Sequence, residues 1–88
     1  MTANQAREIR NKTYEDAFIG IENDPQYIAV MKAIKDAVNA KPLPKDEINF
    51  RFEPDSNSTT IVVEKLTKDG YCVFEPYYHD PGHCNISW

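Results

Sequence analysis

Apolar and polar positions change period several times along the chain, and each change marks an element. Thr2-Ala3-Asn4-Gln5 has the form of a capping box, with Thr2 as N-cap and Gln5 reaching back. The helix it opens places Ala6, Ile9, Thr13, Ala17 and Ile21 on one side, with Tyr14 and Phe18 beside them. Gly20 weakens that helix near its end. Asp24-Pro25 then supplies an N-cap followed by proline at the first helical position. Tyr27, Val30, Met31, Ile34, Ala37 and Val38 follow at helical spacing, and this second helix ends before Pro42. After a proline-stiffened linker the period falls to two: Ile48-Asn49-Phe50-Arg51-Phe52-Glu53 alternates without error and predicts a half-buried strand.

The segment from Ser58 to Lys68 supports two readings. Ser58 as N-cap, the stripe Ile61, Val62 or Val63, and Leu66, and Gly70 as a left-handed stop predict a helix. The β-branched run Thr59 to Val63 favours a strand, with Asp69-Gly70 as a hairpin turn. The helix is preferred; a β-meander replaces it if the run is extended. With the helix, the flanking strands are parallel and the crossover is expected to be right-handed.

Tyr71 to Tyr78 reads as a second strand and Asp80-Pro81-Gly82-His83 as a type II turn, with glycine at the third position. A tight hairpin centred there sets His79 opposite Cys84, Tyr77 opposite Ile86 and Glu75 opposite Trp88. By alternation, Val73, Tyr77, Cys84, Ile86 and Trp88 share an apolar face, and Cys72, Phe74, Tyr78, His83, Asn85 and Ser87 share the other. The expected fold is therefore α+β, an α/β sandwich: two N-terminal helices, then β-α-β-β, with the helices on one face of a small three-stranded sheet. Residues 1–88 are expected to form a single domain.

A chain of 88 residues buries too little surface for high stability, which makes a homo-oligomer one natural remedy. The net charge of −4 argues against non-specific nucleic-acid binding, which depends on cations displacing counterions. No apolar run reaches the length of a membrane span, and no signal-peptide core opens the chain, so a cytoplasmic location is expected. In that compartment Cys72 and Cys84 are expected to remain thiols.

Two ends of the chain resemble small uncharacterised proteins of tailed bacteriophages. The shared features are the polar N-terminal helix (Thr2 to Glu8), the Gly-Tyr-x-Val strand (Gly70 to Val73) and a C-terminal Ile-Ser-Trp (Ile86 to Trp88). The resemblance implies a phage origin, hence the host bacterial cytoplasm, and supports a helix over Thr59 to Lys68. It brings no catalytic residues.

Candidate chemistry is sparse. Cys72, His79, His83 and Cys84 have the residue types of a zinc site, but their spacing matches no standard finger and the hairpin register splits them between two faces. No metal or cofactor is expected. His79 and Cys84 lack an orienting third group and an oxyanion hole, so no catalytic residue is assigned and the protein is read as non-enzymatic. Tyr71, Phe74 and Tyr78 are the candidate binding aromatics, with Arg7 and Arg10 on the first helix as candidate partners of an acidic or phosphate-bearing group. The functional expectation is an accessory protein that binds a host or phage protein. The alternative is a nucleotide-like ligand stacked between aromatics at a subunit interface. A ligand site needs Arg7 or Arg10 near the aromatic face; a protein interface does not.

Overall fold

A computed structural model describes residues 1–75 and 80–88. The element order is helix α1 (Ala3–Ala17), a 3-10 turn (Ile21–Asn23), helix α2 (Pro25–Val38), strand β1 (Glu47–Arg51), helix α3 (Asn57–Lys68), strand β2 (Cys72–Phe74) and strand β3 (His83–Ser87). The sheet order is β1-β3-β2. β3 is antiparallel to both neighbours, so β1 and β2 run the same way, as the crossover through α3 requires. The α+β arrangement expected from the sequence is the one observed.

Local signals set most of the element ends. Thr2 Oγ1 accepts from Gln5 N–H at 3.2 Å and Gln5 Oε1 accepts from Thr2 N–H at 2.8 Å, the two halves of the capping box. α1 stops at Ala17 instead of running to Ile21, because Gly20 takes a left-handed φ of 78° and turns the chain. Asp24 caps α2 through Oδ1, which accepts from Gln26 and Tyr27 N–H. α3 ends in a Schellman arrangement: Gly70 has φ 97°, Tyr71 N–H donates to Leu66 C=O and Gly70 N–H donates to Thr67 C=O.

The N-terminus of α3 differs from expectation. The cap position is Ser56, whose side chain makes no capping bond. Ser58 is already helical, and its hydroxyl donates to Asp24 Oδ2 at 2.7 Å. Gln26 joins the same cluster, donating from Nε2 to Ser58 Oγ and Thr59 Oγ1 and accepting from Glu53 N–H at 2.8 Å. Thr59 Oγ1 in turn donates to Glu53 C=O. These bonds tie the starts of α2 and α3 to the end of β1, which offsets the poor intrinsic helix propensity of the β-branched run.

The hairpin register is the second correction. Val73 pairs with Ile86 and Phe74 with Asn85, four residues away from the register of a tight hairpin. Val73 therefore takes the place opposite Ile86 that a tight hairpin gives to Tyr77, and Cys84 pairs with Phe50 on its β1 side. Trp88 does not face Glu75; its N–H donates to Asp46 C=O. The Asp80–His83 turn does form, with His83 N–H donating to Asp80 C=O and Gly82 at φ 85°. It sits inside a longer connection in which Glu75 Oε1 reaches back to accept from Gly82 N–H. A shift by an even number of residues preserves the pleat, so the described residues of the two faces keep the expected membership. Tyr77 and Tyr78, placed on a strand by the sequence, and His79, set opposite Cys84, lie outside the described residues.

The core lies between the helices and one sheet face. Val30 of α2, Val62 and Leu66 of α3, Ile86 of β3 and Phe52 just after β1 are its most buried side chains. α1 stays largely outside it and buries no residue. The radius of gyration is 14.5 Å, against about 12 Å for a close-packed chain of this length.

Candidate functional site

Strand alternation distributes the candidate residues over three separate places. The first is the sheet face opposite the helices. It carries Glu47, Asn49 and Arg51 from β1, Cys72 and Phe74 from β2, and His83, Asn85 and Ser87 from β3. Phe74 is 65% exposed and stands beside Asn85. At one end of this face the Asp80 carboxylate accepts from Arg51 Nη2 and lies 3.0 Å from His83 Nδ1.

The second place is the helix side of the sheet. Tyr71 follows Gly70 out of α3, packs against the core, and meets the Trp88 ring edge-on at a centroid distance of 6.2 Å. The structure thus joins Tyr71 to Trp88 and leaves Phe74 on the other side. Tyr78, the third candidate aromatic, is outside the described residues.

The third place is α1. Arg7 is exposed and donates to Asn4 Oδ1. Arg10 reaches α3, where it pairs with Glu64 at 2.9 Å and lies over the Tyr14 ring at 4.9 Å. A groove of about 280 Å³ runs along this seam, with Tyr14 and Phe18 among its lining. Its cations are already matched: Arg10 by Glu64, and Lys68 by Glu15 at 3.7 Å. Both candidate arginines therefore sit on a helix that packs against α3, on the helix side of the molecule, whereas Phe74 sits on the opposite face. Within one chain the arginines and Phe74 do not converge on a single ligand. The Glu64 partner of Arg10 is 54 residues away in sequence, so no local signal announces it.

The two cysteines occupy opposite faces, as the alternation implies: Cys72 is exposed and Cys84 is buried. Burial, with the Glu75 carboxylate adding to it, pushes the Cys84 thiol pKa up, which works against a reactive thiolate. Because the folded value is raised, this group favours folding below the pKa of the unfolded thiol, and the contribution is lost as pH rises through the alkaline range. Alkylation of the native protein at neutral pH is expected to modify Cys72 quickly and Cys84 only after denaturation. Equal labelling, read by peptide mass spectrometry, would contradict the burial of Cys84.

Among the described residues no group of three or more His, Cys, Asp or Glu side chains is placed to hold a metal ion. Among them also, no helix is long and apolar enough to cross a membrane. The chain matches no protein-family model, no curated protein and no solved structure, so the functional reading rests on the geometry of these three surfaces.

Proposed function

We propose that the protein is a non-enzymatic accessory factor of phage type that works by binding another protein, host or phage, and that α1 is the element it binds with. The observation that supports this is the exposure of α1. Ala3 to Thr13 are all exposed, with Ile9 at 55%. A lone helix of about 15 residues is marginal in water. The charges of α1 add no help: its first turn has no acidic residue and its last turn no basic one, the reverse of what the helix dipole favours. Such an element gains stability by laying an apolar flank, here Ala6, Ile9 and Thr13, in a groove on a partner.

Charge says what kind of groove. The fully exposed part of the arm, residues 1–13, holds Arg7, Arg10 and Lys12 against Glu8, a net +2, while Glu15 and Asp16 lie in the last turn of α1. The whole chain is −4, so the remainder is −6. A basic arm on an acidic body suits an apolar groove with an acidic rim, and the body's own charge disfavours nucleic acid as the occupant.

The test is affinity capture from bacterial lysate with wild type, Ile9→Glu and Phe74→Ala in parallel. The expected result is a stoichiometric protein captured by wild type and by Phe74→Ala but lost with Ile9→Glu, while circular dichroism stays that of a folded chain. Capture that depends on Phe74 and ignores Ile9 would move the binding surface to the open sheet face. A small molecule retained in native mass spectrometry, with no protein captured, would overturn the reading in favour of a ligand-binding role.

A further inference from the structure

We infer that two copies of the chain join through the free edges of β1 into one continuous six-stranded sheet, an association beyond the partner binding assigned to α1. Among the described residues β1 pairs only with β3. Phe52 N–H donates to Gly82 C=O at 2.7 Å, and Trp88 N–H donates to Asp46 C=O at 3.3 Å. These two bonds bracket the ladder and fix its phase: even-numbered residues turn their backbone groups toward β3. Glu47, Asn49 and Arg51 therefore turn theirs outward. The strand pairs residue by residue with no bulge, and it carries no proline or lysine. Bulges, proline and lysine are among the devices that blunt an edge; the two charges β1 does carry, Glu47 and Arg51, are of opposite sign and can pair across a two-fold axis.

The sequence of β1 identifies the strand that pairs there as its own copy. An antiparallel pairing about a two-fold axis at Asn49 sets the outward backbone groups of 47, 49 and 51 against the same groups of the second copy. In that register Glu47 lies across from the second copy's Arg51, and the reverse, so both charge pairs are of opposite sign. Ile48 lies across from the second copy's Phe50 on the helix side, which continues the core. Asn49 meets its own equivalent, extending the contact that Asn85 Nδ2 makes with Asn49 Oδ1 at 3.5 Å. Glu47 is exposed and takes part in no ion pair among the described residues. Arg51 is 66% exposed in its side chain, and its guanidinium has donors beyond the one given to Asp80.

Room for the second copy is present. α2 lies along β1, held at one end by Lys45 N–H to Ala37 C=O and at the other by Glu53 N–H to Gln26 Oε1. Between them runs an open groove of about 900 Å³ walled on the α2 side by Ala33, Asp36, Ala37 and Ala40. Three of these four side chains are methyl groups, and short side chains at a contact allow helix axes to come close. The two α1 arms remain outside this seam, which gives the dimer two binding arms.

The test is sedimentation equilibrium with native mass spectrometry on wild type, Glu47→Arg, Arg51→Glu and the double reversal. Wild type is expected at twice the 10.1 kDa chain mass in the micromolar range. By symmetry each single reversal creates two like-charge contacts, and each is expected to weaken the dimer by about tenfold or more. The double reversal restores opposite charges and is expected to restore the dimer, with circular dichroism unchanged throughout. A wild type that stays monomeric at high micromolar concentration overturns the inference, as does a dimer indifferent to both single reversals. Partner capture through α1 is read separately on the same variants, so either outcome leaves the α1 reading to its own test.

Discussion

Replacing Gly82 with alanine is expected to remove most of the protein's stability. Gly82 holds φ 85°, a region where a side chain costs about 1–2 kcal/mol. The steric term is larger. A Cβ at this position would lie 2.2 Å from the backbone oxygen of Phe52 and 3.1 Å from its carbonyl carbon. Neither atom belongs to a flexible side chain, so the hairpin must move away from the end of β1. That movement breaks the Phe52 N–H to Gly82 C=O bond and uncovers a neighbourhood that is otherwise buried. The combined loss is expected to be about 3–5 kcal/mol, most of the stability of a small domain. Urea unfolding followed by circular dichroism checks it. Gly20→Ala and Gly70→Ala are the controls: both glycines have positive φ, but nothing lies within 4 Å of the added carbon. They are expected to cost about 1 kcal/mol each. A Gly82→Ala loss no larger than theirs would show that the close approach to Phe52 is wrong.

Phe52→Ala should be nearly as damaging, by a different mechanism. The ring is 1% exposed, lies 4.8 Å from that of Phe50, and belongs to the cluster formed by Val30, Val62, Leu66 and Ile86. Truncation removes buried apolar surface and leaves a cavity, together worth about 3–5 kcal/mol. Phe74→Ala makes the same chemical change at a side chain that is 65% exposed and is expected to shift stability by only about 0.5 kcal/mol. The contrast tests the assignment of faces in the sheet without depending on either absolute value. Because Gly82 and Phe52 share a backbone hydrogen bond, their effects are not expected to add.

What could be read from the sequence was local. The Thr2–Gln5 box, the Asp24-Pro25 start, the Gly70 stop and the Asp80–His83 turn each depend on residues within five positions of one another, and each is found. The alternation of Ile48 to Phe52 and the parity of Val73, Cys84 and Ile86 also held, because the pleat has a period of two whatever the register. What depended on distant partners was not legible. Ser58 looks like a cap because serine is a good one; its hydroxyl is taken by Asp24, 34 residues earlier, and the helix starts ahead of it. The hairpin slips by four because Glu75 folds back onto Gly82 to make a longer connection than the turn alone implies. The candidate site divided for the same reason. Tyr71 and Phe74 are neighbours in sequence but lie on opposite sides of the sheet, and Arg10 answers to Glu64. The apolar stripe of α1 was visible as a pattern, but the pattern carries no information on whether anything covers it.

The central claim is that α1 is a binding arm that a partner protein covers. Hydrogen exchange of the backbone amides, with and without the captured partner, tests it most directly. In the free protein the amides from Ala6 to Thr13 are expected to exchange far faster than those of α2 and α3, because every residue in this stretch is exposed. On binding, protection should rise over those residues and stay unchanged at Cys72–Phe74 and His83–Ser87. Protection that appears instead over the two strands, with α1 exchanging as fast as before, would contradict the account.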